Sequence, residues 1–223
     1  MKSNKSIGRL AGIVFIINLV PYVIAHMVIL DNLLFSENFL QNIRDNRFKV
    51  GLSVILEFTS ITAMIVFAIL LFPVLRKYGN RLSFTYLGLR FVEFGIIIYS
   101  IITLMTIAEI SNDVLNYNLE QQMFFHLIAE SKFTEWQWAG IIYMLIYVLH
   151  CVIFFYLLFK SKLVPRLISI FGFIGILLAF LNLISHLFKL SFGGFYLFAP
   201  MGLIELILAI WLIIYGLRDE IIK

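Results

Sequence analysis

An all-α bundle of six membrane-spanning helices is the fold this sequence predicts, and three observations predict it. Of the 223 residues, 62% are hydrophobic. Only 13% are charged, against roughly 25% in an ordinary soluble domain. Six apolar stretches each reach the roughly 20 residues that a helix needs to span hydrocarbon. Mean hydropathy is +1.00. A chain of this composition has too little polar surface to coat a soluble core. That excludes a soluble enzyme, a nucleic-acid reader and a disordered tail. The lone cysteine, Cys151, excludes a disulfide framework and a cysteine-rich zinc module. The net charge of +4 reads as basic loops flanking membrane helices, with no nucleic acid as partner.

The predicted spans cover residues 8–30, 50–75, 83–107, 138–159, 165–187 and 197–217, as one transmembrane domain over 1–223. Lipid supplies no partner for backbone amides, so each stretch must be helical. A barrel would instead show short alternating segments. Lys2, Lys5 and Arg9 precede the first run much as in a signal peptide. That run is too long for one and lacks a small-residue cleavage site, so it reads as a retained helix. Lys2, Lys5, Arg9, Arg76, Lys77, Arg81, Lys160, Lys162, Arg166, Arg218 and Lys223 fall on one side of the membrane. Arg44, Arg47, Lys49, Lys132 and Lys189 fall on the other. The excess of basic residues places both termini in the cytoplasm.

Two long loops are then expected outside. In the first, residues 31–49, Phe39, Leu40 and Ile43 share one helical side, with Glu37, Gln41, Arg44 and Asp45 elsewhere. The second, residues 109–137, is acidic. Its Met123, Phe124, Leu127 and Ile128 are expected to lie flat on the lipid surface, with Trp136 and Trp138 in an aromatic belt. Both segments read as resting at the interface, with a lid over a cavity as the sharper alternative.

Several short motifs recur in order along the chain. Arg9-Leu-Ala11-Gly12 opens the first span and Leu89-Arg90-Phe-Val-Glu93 marks the third. Phe159-Lys-Ser-Lys-Leu-Val-Pro165-Arg166-Leu-Ile-Ser-Ile-Phe-Gly172 opens the fifth. Pro200-Met-Gly-Leu-Ile-Glu205, Ala209-Ile-Trp211-Leu and Tyr215-Gly216 mark the sixth. The ordered set, over nearly the whole chain, resembles the bacterial membrane proteins grouped as domain-of-unknown-function family 4386. The resemblance implies a six-helix, multi-pass protein of the bacterial cytoplasmic (inner) membrane. It implies no activity, and the quoted positions carry no role from it.

Ionisable residues inside the spans point to function, because each costs about 2.5–3.5 kcal/mol at mid-bilayer and so should face protein or water. They are His26, Glu57, Arg90, Glu93, His150, His186 and Glu205, joined by the amides Asn18 and Asn182. Arg90 and Glu93 share a helix face. Asn18, Tyr22 and His26 form a stripe at i, i+4 and i+8, with Pro21 expected to kink that helix. Asn182 aligns with His186, and Tyr143 and Tyr147 with His150. Counting residues at about 1.5 Å each puts Glu57, Glu205, His26 and Asn182 at similar depths below the outer surface.

These groups predict an outward-facing polar cavity that binds, senses or passes a small solute or proton. Charge-switching Glu and His suit a proton or solute path, and aromatic walls suit a small-molecule or lipid ligand. The first alternative is an intramembrane metal-dependent hydrolase. No cofactor is predicted; a zinc ion, if held, would take His26, His186, Glu57 and Glu205 from separate helices. The second alternative is a packing subunit, with another membrane protein or a second copy of the chain as partner. Buried polar packing alone would also explain these residues. No nucleophile elbow, phosphate loop or dinucleotide fingerprint occurs, so the reading leans away from an enzyme. Cys151 adjoins His150 but points about 100° away on a helix, and reads as inert packing. Gly8 and Gly12, four apart, have the spacing of a helix-contact motif. Gly172 and Gly175 are expected to permit a close crossing of the fifth helix.

Overall fold

The computed structural model describes residues 4–36, 38–114 and 118–218; Lys2, Glu37 and Lys223 lie outside the described residues. The described chain is helical almost throughout. Helix α1 covers Asn4–Val23, and a π-helical stretch over Ile24–Leu30 and the short α2 (Asp31–Leu34) continue it. After the short α3 (Phe39–Asp45) come α4 (Arg47–Leu75), α5 (Asn80–Asp113), α6 (Leu119–Ser161), α7 (Arg166–Leu187) and α8 (Phe195–Tyr215). Six of these runs are long and apolar enough to cross a membrane. This is a multi-pass membrane protein.

Each crossing packs on the next in sequence, and α8 packs back on α1, so the six form a closed ring. Both ends of the described chain lie on one face of that ring, where the backbone of Lys5 abuts Gly216. We call it the terminal face, and its opposite the far face. At the terminal face the Arg9 guanidinium donates to the Ile214 carbonyl at 3.1 Å, and the Arg218 amide donates to the Leu163 carbonyl at 2.9 Å.

Buried faces in this ring carry polar and small residues among the apolar ones. On α5 the buried set runs Ser83, Tyr86, Arg90, Glu93, Ile97, Ser100, Leu104, Ile107 and Ser111, one every three or four residues. On α4 it includes Ser53, Glu57 and Ser60. Large apolar side chains such as Phe84, Phe91, Ile102, Leu149 and Leu177 point outward instead. Water drives apolar groups inward in a soluble protein, but lipid exerts no such force. Polar groups therefore go where they can find partners.

The helix contacts depend on glycine at a few positions. A Cβ on Gly12 would lie 2.8 Å from the Ala209 carbonyl oxygen and from the Ile213 amide nitrogen of α8. One on Gly8 would strike the Leu217 backbone, and one on Gly172 would strike the Phe155 ring of α6. The terminal half of the ring is packed solid. Phe15 stacks on Phe67 at 4.7 Å, Phe67 meets Phe154 at 5.7 Å, and Phe154 stacks on Tyr86 at 5.4 Å.

Two expectations need correction. The second long loop is not a loop: α5 runs to Asp113 and α6 starts at Leu119, so α6 has 43 residues. That is about 65 Å of helix at 1.5 Å per residue, twice the roughly 30 Å of hydrocarbon. Residues 119–137 contain neither Gly nor Pro, so nothing breaks α6 where hydropathy falls. Met123, Phe124 and Leu127 are exposed on this extension rather than forming a separate surface helix. Trp136 is no belt residue either. It is buried at the far face among Leu30, Leu34, Ile43, Leu104 and Ile107, while Trp138 stays exposed. The same cluster takes in Leu40 and Ile43 of α3, and α3 packs on α5. The first crossing is helical through Pro21, and its π-helical widening begins at Ile24. Proline has no N–H for the Ile17 carbonyl, which disturbs the regular ladder there.

Asn118 starts α6 with a capping box. Its side chain accepts from the Gln121 amide at 3.0 Å, and the Gln121 side chain accepts from the Asn118 amide at 3.3 Å. Asn118→Ala is expected to cost about 1 kcal/mol locally. Amide hydrogen exchange checks this: it should quicken in the first turn of α6 and stay unchanged at mid-span. Equal exchange in both proteins would show the cap to be idle.

Candidate functional site

In the far half of the ring the helices part around a cavity of about 870 Å³. All six crossings contribute to its lining. From the first come Asn18, Tyr22, His26 and Asp31; from α4, Glu57, Ser60 and Met64; from α5, Arg90, Glu93 and Ile97. From α6 come Tyr143, Met144 and Tyr147; from α7, Asn182 and His186; from α8, Phe198, Gly202 and Glu205. The aromatic residues Phe15, Phe67, Tyr86 and Phe154 of the terminal half are not among its lining residues. Towards the far face the rim includes Asp31 and His186, both exposed.

The polar groups are held in pairs. His26 Nε2 lies 2.6 Å from Glu57 Oε1. The π-helical stretch carries His26, whose ring has the Tyr22 ring tilted at 4.5 Å and the Trp136 ring stacked at 6.3 Å. Glu57 is buried, 3% exposed, and its second oxygen has no partner. Asn18 donates to both the Ser60 hydroxyl at 2.9 Å and the Ser60 carbonyl at 3.2 Å, tying α1 to α4. The Tyr147 hydroxyl donates to Glu205 Oε1 at 2.8 Å, tying α6 to α8.

A deeper network joins α5 to α6. Arg90 Nη1 donates to Glu93 Oε2 at 2.7 Å, and His150 Nε2 lies 3.2 Å from the same oxygen. Arg90 Nε donates to the Tyr86 hydroxyl at 3.3 Å. Arg90, Glu93 and His150 are each at most 2% exposed. In so dry a place a guanidinium and a carboxylate are tolerable only together.

Nine of the ten residues that the sequence marked for a cavity line this one space: Asn18, Tyr22, His26, Glu57, Arg90, Glu93, Asn182, His186 and Glu205. His150 does not; it stands behind Glu93, fully buried. Asn182 also serves the chain itself, since its side chain accepts from the Gly194 amide at 2.7 Å and fixes the turn before α8. The zinc set of His26, His186, Glu57 and Glu205 does not assemble. His26 and Glu57 pair, but among the described residues no three His, Cys, Asp or Glu side chains gather as a metal needs. Cys151 is buried in the core, 1% exposed.

Sequence reasoning missed four polar lining residues. Tyr143 and Tyr147 aligned with His150 by spacing, yet were not assigned to the cavity. Ser60 follows Glu57 by three residues, which puts it on the same face. Asp31 stands just past the expected end of the first span and gave no signal.

A search of curated proteins and one of solved structures found no match. The family described as Domain of unknown function (DUF4386) matches residues 10–216, nearly the whole chain, and this multi-pass membrane protein belongs to that family.

Proposed function

We propose that this protein binds a small molecule in the cavity between its helices, and senses it or passes it on. The termini are cytoplasmic, the membrane is the bacterial inner membrane, and the cavity faces outward. One observation carries this reading. A space of about 870 Å³, within the usual 300–1,000 Å³ of ligand sites, has mostly apolar walls and four carboxyl side chains from four crossings. Packing alone would be expected to fill such a space, because interiors are normally as dense as organic crystals. The basic residues of the terminal face support the orientation.

Gly202 supplies the test. It lines the cavity, and a Cβ there meets nothing within 4 Å. Gly202→Cys is expected to react, in intact cells, with a membrane-impermeant trimethylammonium methanethiosulfonate. Gly202→Cys with Met144→Trp, which fills the space, should react several-fold more slowly. Reaction only in inverted vesicles would reverse the orientation. Reaction only after denaturation would overturn the cavity reading.

A further inference from the structure

Resting on the cavity reading, we propose that the ligand is a single-chain amphiphile with a cationic amine head, admitted from the lipid through a gap between α1 and α8. Two independent features support it: the shape of the α1–α8 contact and the balance of charge inside.

The α1–α8 contact is tight only near the terminal face. Gly8 and Gly12 bring α1 against the α8 backbone at Leu217, Ile213 and Ala209. Beyond that level the lining residues of the two helices are also lipid-facing ones. Val20, Val23, Ile24 and Met27 of the first crossing are 49%, 41%, 37% and 43% exposed, and Leu203 and Leu206 of α8 are 59% and 41% exposed. A residue that both lines the cavity and faces outward marks a wall the cavity breaches. Leu203 and Leu206 lie roughly 12–17 Å along α8 from its far-face end, so the breach opens onto hydrocarbon. Every side chain at its edges is aliphatic or Met, which suits a passing alkyl chain.

Inside, carboxyl groups outnumber the fixed cations. Arg90 is the one Lys or Arg among the described lining residues, and Glu93 engages it. That leaves Asp31 at the rim, and Glu57 and Glu205 deeper in, without a Lys or Arg from the lining. Glu57 has His26 beside one oxygen and nothing at the other, although it is 3% exposed. Even with His26 protonated, Glu205 has only the Tyr147 hydroxyl. In a low-dielectric space a cation restores the balance, whereas an anion would add to the repulsion. Tyr22, Tyr143 and Tyr147 offer ring faces that also attract a cation.

The labelling of Gly202→Cys reads out occupancy. Full-length protein in nanodiscs is exposed to dodecylamine, dodecyl sulfate, dodecanol or propylamine, and the labelling rate by a small neutral thiol reagent is measured. Cysteine at His126, exposed on α6, reports general effects on the bilayer. Dodecylamine is expected to slow labelling at Gly202→Cys about tenfold and to leave His126→Cys unchanged. The other three should protect far less. In Glu57→Gln with Glu205→Gln, dodecylamine should lose its advantage over dodecanol. Val23→Trp, at the edge of the gap, should delay the onset of protection about threefold.

The failures are distinguishable. No labelling of Gly202→Cys without any amphiphile removes the cavity reading itself. Labelling with equal protection by dodecyl sulfate or dodecanol overturns the cationic head alone. Equal protection by propylamine overturns the need for a chain, and an unchanged onset in Val23→Trp overturns the lateral route.

Discussion

Glu93→Ala is expected to destabilise the folded protein strongly in mild detergent. The change leaves the Arg90 guanidinium, 2% exposed, with the Tyr86 hydroxyl as its remaining hydrogen-bond partner. Removing one partner of a buried ion pair costs about 3–5 kcal/mol. Total stabilities run near 5–15 kcal/mol, so about a third of the margin or more goes. The measurement is the monodisperse fraction on size exclusion and the unfolding temperature. The companion variant Arg90→Met with Glu93→Leu removes both charges at similar volume and should recover most of the loss, since a matched apolar pair is often no worse than the salt bridge. Arg90→Lys should recover little beside a native Glu93, because a lysine cannot present the same planar fork to both Glu93 and Tyr86. Wild-type unfolding of Glu93→Ala would mean that the network contributes nothing to folding.

Gly12→Val should open the ring. The added Cβ would sit 2.8 Å from two backbone atoms of α8. Backbone cannot swing aside as a side-chain tip can, so α1 must move away from α8. Overpacking of a dense contact costs about 1–3 kcal/mol, and here the shift also strains the Arg9 bond to Ile214. The unfolding temperature should drop by several degrees. Gly88→Ala is the control. A Cβ there meets nothing within 4 Å, and alanine outranks glycine in helices by about 1 kcal/mol, so its unfolding temperature should hold or rise. A drop of the same size in both variants would assign the effect to glycine flexibility rather than to the α1–α8 contact.

The six crossings could be read from the chain because membrane insertion follows a local rule. About 20 apolar residues with no charge must become a helix, whatever the other helices do. The stripe Asn18, Tyr22, His26 and the pair Arg90, Glu93 were legible for the same reason, since spacing alone fixes a shared face. Residues 109–137 were misread because hydropathy falls there. Hydropathy reports where the lipid ends, and a helix without Gly or Pro need not end with it. Trp136 was misplaced for a related reason. An aromatic residue at a span boundary suits a belt and a core equally, and only the folding of α3 against α5 decides between them.

By itself, then, the sequence determined the class of solvent, the number of crossings and which side chains could not face hydrocarbon, because each follows from transfer energies that add residue by residue. The tertiary structure alone decided the partners. The 2.6 Å pair of His26 with Glu57, the 2.8 Å bond from Tyr147 to Glu205, the exclusion of His150 from the cavity and the gap between α1 and α8 all depend on which helix neighbours which. No local energy term carries the order of six helices around a ring. That order comes from where small residues let helices close, against backbone at Gly8 and Gly12 and against the Phe155 ring at Gly172, and where they leave them apart.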